Sequence, residues 1–207
     1  MKKFICLAFA VLLCVSCFQI NLNGGKHVIK GKGPVITKSF DFKDFDAIRV
    51  RGIADIQFTQ ADTWEVTLKT QENIFEHLDY KVEDGVLLIQ EKDRLRFKVK
   101  VYDLTIQAPD LKRIEVNGVG DFDIPKGLHT DGNLAIEVNG VGDFDCHDLV
   151  CNDLDVRING VGDVCVSGKA ETASLEVSGV GDIDARGLVV AGNVNTRKSG
   201  VGAIRLP

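Results

Sequence analysis

Seven aspartates recur in this chain at positions where they could act together. Asp121, Asp143, Asp163 and Asp182 each follow a Gly-Val-Gly triplet, and Asp123, Asp145 and Asp184 stand two residues beyond three of them. Successive copies are 19 to 22 residues apart. If each copy lies beside the last as a strand, equivalent carboxylates come about 4.8 Å apart. Uncompensated rows of that kind repel, and a hard cation held by their oxygens relieves the cost. Calcium is therefore the ligand these residues could take, although the chain has neither an EF-hand loop nor the calcium-binding nonapeptide. The competing reading is internal, because a short acidic side chain at a bend can fan outward or accept backbone N–H groups.

Other chemistries fit less well. A Gly-x-Gly pair cradles phosphate only between a strand and a helix with a Lys-Ser/Thr partner, and none here has that setting. His27, His77, His129 and His147 are scattered without metal-ligand spacing, and His147 reads as a lone exposed histidine after Asp145-Cys146. Paired carboxylates can do acid–base work, so a hydrolase or lyase acting on envelope or extracellular glycan is the alternative function. Against it, these acidic positions are regular and interchangeable, whereas a catalytic pair is singular. Beyond Cys17 the cysteines are Cys146, Cys151 and Cys165, whose spacing demands no disulfide framework. Cys146 aligns with the inward positions Val166 and Ala185. Cys165 replaces an outward aspartate, so the two thiols face opposite ways.

The elements that must position these side chains follow from period. Before the glycines, Ile114 and Val116, Ile136 and Val138, Val156 and Ile158, and Leu175 and Val177 alternate with Glu115, Glu137, Arg157 and Glu176. After them, Phe122, Phe144, Val164 and Ile183 begin a second segment, and Leu128, Leu149 and Leu188 mark a third. A two-residue period is the strand signature. Three short strands in each repeat of about 20 residues predict a parallel β-helix, whose turns bury their apolar sides only against neighbours. Five glycine pairs then fall at a corner: Gly118 and Gly120, Gly140 and Gly142, Gly160 and Gly162, Gly179 and Gly181, Gly200 and Gly202. Asn117, Asn139 and Asn159, followed by Ser178 and Ser199, precede it and can bond along the stack. The last copy departs, with Ala203 and Arg205 at the aspartate positions, as terminal repeats do.

The first half is less regular but strand-like. "FDAIRVRGIADIQF" (45–58) is a degenerate copy that places Asp55 at the position of Asp121. Asp84-Gly85 predicts a hairpin turn between Tyr80–Val82 and Val86–Gln90, and 73–78 a brief helical turn. Arg94, Arg96, Lys98 and Lys100 alternate with Leu95, Phe97, Val99 and Val101, giving a basic face that is either solvated or able to meet an anionic glycan or lipid head group.

The N-terminus indicates export. Met1, Lys2 and Lys3 precede an apolar run from Phe4 to Val15, and "CVSC" ends at Cys17. We read 1–16 as a lipoprotein signal, Cys17 as the lipidated residue, 17–33 as a tether and 34–207 as one β domain, with its clearest repeats over 111–207. An ordinary signal cut near Ser16 is the alternative. No later segment is long and apolar enough to span a bilayer. The chain carries 25 Lys+Arg against 30 Asp+Glu; an exported acidic chain is a poor nucleic-acid partner.

The opening "FDAIRVRGIADIQFTQ", the "VEDGVLLI" segment and the serial units Gly118-Val119-Gly120-Asp121, 140–143, 160–163 and 179–182 resemble the auto-transporter adhesin head GIN domain, common in exported Bacteroidetes proteins. The resemblance runs from Phe40 to Leu206. It implies an all-β fold with a right-handed β-helical section and an envelope or surface role in adhesion, binding or assembly, with an envelope glycan or protein as partner. It supplies no catalytic residue and no cofactor. Many such relatives have serine where this chain has Val119, Val141, Val161 and Val180. The residues after Cys17, "FQINLN", lack the acidic cluster tied to outward export in such organisms, which implies the periplasmic face of the outer membrane rather than surface display.

Overall fold

Apolar–polar alternation at period two leaves the backbone one economical arrangement, strands whose inward side chains share a core. The computed structural model describes residues 28–92 and 95–207. The leader, Cys17, most of the tether and Arg94 lie outside those residues. The described chain is a curled, all-β structure with a 3-10 segment at Glu72–His77.

Successive repeats lie on one another in parallel register. Val50, Val116, Val138, Ile158 and Val177 align in one row. Ile56, Phe122, Phe144, Val164, Ile183 and Ile204 align in a second. Leu128, Leu149, Gly168 and Leu188 form a third. Apart from Ile204 and the glycine, these residues are buried and build one continuous core. The rings of Phe122 and Phe144 stack with centroids 5.7 Å apart. Each such side chain removed from water contributes about 1.5–3 kcal/mol. The expected short strands in part merge: Phe144–Ile158 and Val164–Val177 are each continuous. The ladder between repeats runs through the bends; it slips between Cys146 and Leu149, where Asp148 adopts φ 57°, and again between Cys165 and Ser167.

The corner glycines have two separate causes. A Cβ on Gly140 would land on the carbonyl oxygen of Gly118, so the first glycine is required by close approach alone. Gly160, Gly179 and Gly200 meet the carbonyl oxygens of Gly140, Gly160 and Gly179 in the same way. A Cβ on Gly162 would land on the carbonyl oxygen of Gly142, and its φ of +153° also disfavours any side chain. The later second glycines repeat that contact, Gly181 against the carbonyl oxygen of Gly162 and Gly202 against that of Gly181. In the degenerate first copy Ala54 stands at the second position. There the neighbouring layer includes a side chain, with Glu91 Oε1 accepting from the Ile53 N–H at 2.8 Å.

The first half completes the sheet in an order the chain does not follow. Val86–Ile89 runs parallel to Ala47–Val50, and Tyr102–Ala108 runs parallel to Asp55–Gln60. Val86–Ile89 and Tyr102–Ala108 thus lie under the first copy, while Arg113–Val116 pairs with the copy's other edge. Glu65–Gln71 joins Tyr102–Ala108 antiparallel, and Val35–Phe40 joins Glu65–Gln71 antiparallel. Asp84 (φ 50°) and Gly85 (φ 75°) turn the expected hairpin from Lys81–Glu83 into Val86–Ile89. Phe40, Phe42, Phe75 and Tyr80 pack together at this end.

Candidate functional site

The first aspartate row is a backbone ladder. Oδ1 of Asp121 accepts the Asp143 N–H (2.9 Å), Oδ1 of Asp143 the Asp163 N–H (2.7 Å), and Oδ1 of Asp163 the Asp182 N–H (2.7 Å). Asp55 extends the series below through Asp121 N–H at 3.2 Å, and Asp182 above through Ala203 N–H at 2.7 Å. Each carboxylate therefore reaches to the next repeat instead of converging with its neighbours on a shared point. Beside it, Asn159 Nδ2 donates to Asn139 Oδ1 (2.8 Å) and Asn139 Nδ2 to Asn117 Oδ1 (2.9 Å). Ser199 Oγ continues the row to Ser178 Oγ at 3.2 Å. Both rows satisfy polar groups at a corner where strand pairing is interrupted.

The second row is chemically mixed. Asp123, Asp145, Cys165, Asp184 and Arg205 occupy equivalent positions. Burial first, then the charges of Asp145, Asp121 and Asp55, push the Asp123 carboxyl up. Arg186, hydrogen-bonded to Asp184, lowers that carboxyl to about 2. Arg205 reaches Asp182 at 2.7 Å and holds it below the ordinary carboxylate range.

Between those ends, His147 is exposed but not alone. Its Nε2 lies 3.0 Å from Asp145 Oδ1, and its Nδ1 lies 3.0 Å from Ser167 Oγ. Asp145, His147 and Cys165 each offer a ligand atom, and these three atoms fall within 4.8 Å of one another. Asp145 Oδ1 is shielded from solvent and makes no hydrogen bond. The reading of His147 as a lone histidine is thereby corrected. Residues two apart on a strand share a side, and register sets Cys165 beside Asp145. Facing Asp-x-His and Cys-x-Ser segments were the signal, and Ser167 is the member that sequence reasoning missed. Cys146 and Cys151 are buried, as the inward position of Cys146 requires, and burial pushes their thiols up to about 12 and about 11.

Two surfaces remain. Ile53, Val119, Val141, Val161, Val180 and Val201 bridge in parallel along the outside of the corner and are 38–69% exposed. They form an apolar ridge flanked by the asparagine ladder. On the basic stretch, Arg96, Lys98 and Lys100 face solvent while Leu95, Phe97, Val99 and Val101 are half-buried. A shallow depression of about 470 Å³ contains Asp55 and Asp103, but Asp55 holds the Asp121 N–H and Lys69 stands 3.5 Å from Asp103.

The glycine corner, the aspartate ladder and the parallel register are the features by which the chain can be compared. Residues 44–207 match the family described as "Putative auto-transporter adhesin, head GIN domain". The chain belongs to this family. A crystal structure described as a "putative adhesin" from Bacteroides fragilis is 28% identical, with a TM-score of 0.77 over 86% of this chain and 100% of that one. Two further "putative adhesin" structures share the fold. That from Parabacteroides distasonis is 22% identical with a TM-score of 0.60, covering 86% of this chain and 85% of its own. That from Parabacteroides merdae is 21% identical with a TM-score of 0.60, covering 87% and 84%. No curated protein matches the chain.

Proposed function

We propose that this head GIN protein is a non-enzymatic binding module of the cell envelope, anchored to the outer membrane through lipid on Cys17 and facing the periplasm. Its stacked repeats are a right-handed parallel β-helix that serves as a rigid frame. The observation that carries the reading is the corner ridge: six β-branched side chains in parallel register, all substantially exposed. Packing inside the molecule does not account for apolar residues there, and a contiguous exposed apolar stripe marks a contact surface. An apolar line with the asparagine ladder on one side and the aspartate row on the other suits a protein partner better than a glycan. The hydrolase or lyase alternative has no comparable support. Among the described residues the first-row carboxylates repeat one role, each holding backbone.

The test is capture from solubilised envelopes by the lipidated protein and by a Val141→Ser/Val161→Ser double variant. The wild type should retain a specific protein and the variant should lose it. Equal capture by both, capture of glycan alone, or none by either would overturn the reading.

A further inference from the structure

We propose that Asp145, His147 and Cys165 form a binding site for zinc or a similar transition-metal ion, independent of the corner ridge. The calcium reading treats the two aspartate rows as equivalent, but the structure separates them. In the first row each Oδ1 is engaged by a backbone N–H. In the second row a thiol, Cys165, stands between Asp145 and Asp184, and beside it lies His147.

Carboxylate, imidazole and thiolate together make a donor set suited to zinc, whereas calcium prefers six or more oxygens. Ligand atoms around tetrahedral zinc stand roughly 3.5 Å apart. The Asp145–His147 pair is already at 3.0 Å, and all three atoms lie within 4.8 Å. Rotation of the partly exposed Cys165 and His147 side chains closes the difference.

Two further observations point to an ion. First, His147 Nδ1 lies 3.0 Å from Ser167 Oγ. A histidine ligand is normally oriented by a hydrogen bond from its other ring nitrogen; when Nδ1–H donates to Ser167 Oγ, the Nε2 lone pair faces Asp145. Second, Asp145 Oδ1 is shielded from water and makes no hydrogen bond. With the imidazole proton on Nδ1, a carboxylate oxygen and an imidazole lone pair face each other at 3.0 Å without a proton between them. A cation satisfies both. On binding, the Cys165 thiol loses its proton to solvent and the sulfur–metal bond takes its place. Three protein ligands leave a fourth position for water.

The experiment is titration of the reduced, purified protein with cobalt(II), followed by zinc displacement. Expected are one equivalent bound, a near-ultraviolet thiolate-to-cobalt band, and displacement by zinc but not by calcium. Cys165→Asp restores the residue of the adjacent repeats, so it should keep the wild-type circular dichroism while losing the band. His147→Gln should weaken zinc binding by at least tenfold, and Ser167→Ala by about tenfold through the imidazole's orientation. Absence of the band in the wild type, an undiminished band in Cys165→Asp, or unchanged zinc affinity in His147→Gln would each overturn the proposal. None of these readouts depends on the ridge or its partner.

Discussion

Replacing Gly162 by alanine tests the physical account of the corner most directly. The new Cβ would land on the carbonyl oxygen of Gly142, with the carbonyl carbon only 2.7 Å away. Those atoms are backbone and cannot swing aside. At φ +153° the alanine also carries strain of about 1–3 kcal/mol. Separating the two repeats weakens the bonds from Gly142 N–H to Val161 O (3.0 Å) and from Phe144 N–H to Asp163 O (2.9 Å). These are worth about 1 kcal/mol each. Alanine restricts the unfolded chain more than glycine, which returns about 0.4–1 kcal/mol. The net loss is about 2–4 kcal/mol, a large share of the ~5–15 kcal/mol typical of a folded domain. For a domain of this size it corresponds to a fall in Tm of roughly 4–16 °C. Urea and thermal unfolding followed by circular dichroism measure it. Val161→Ala next door, on an exposed side chain, should stay within about 0.5 kcal/mol of wild type. A Gly162→Ala protein equally close to wild type would refute the close-approach argument.

Three other outcomes follow from the aspartate rows. Asp143→Ala removes the acceptor of the Asp163 N–H and should lower Tm, whereas Asp143→Asn keeps an acceptor oxygen and should recover most of the loss. The melt of the metal-free wild type should be unchanged by added calcium, and a calcium-dependent rise would refute the ladder account of this row. Arg186 holds the Asp184 carboxyl at about 2, below its unfolded value near 4. A depressed carboxyl contributes stability that is present above pH ~4 and is lost as pH falls toward 2. Melting curves should therefore decline more steeply across that window in the wild type than in Arg186→Ala, and parallel declines would refute the coupling.

Much of the corner was legible because the repeat is nearly verbatim. "VNGVGDFD" at 116 and 138 exposes strand, bend and strand in one line, and Asp55 could be placed with Asp121 through the weaker "GIAD" copy. The asparagine ladder was legible for the same reason, since equivalent residues at a fixed period must stack. The fate of the aspartates was not. Whether a carboxylate fans outward, gathers a cation or accepts an N–H depends on ångström-scale placement of the next repeat's backbone, which no period encodes. His147 was misread for a related reason. Beyond Asp145 on its own strand, its neighbours Ser167 and Cys165 come from the next repeat, and spacing along the chain does not show them.

By itself the sequence determined the class of element, the inward and outward faces, the position of the bend and the identity of the core residues. Each of these is a local consequence of a two-residue period or of glycine's missing Cβ. Tertiary structure alone decided the order of the layers. Val86–Ile89 and Tyr102–Ala108 lie beneath the 47–60 copy before the chain resumes above it at Arg113. Both edges of an unpaired strand offer the same row of N–H and C=O groups, and nothing local tells the chain which edge a later segment will take. It also decided which side chains meet across that ladder, and so turned one broken aspartate row into a three-ligand cluster.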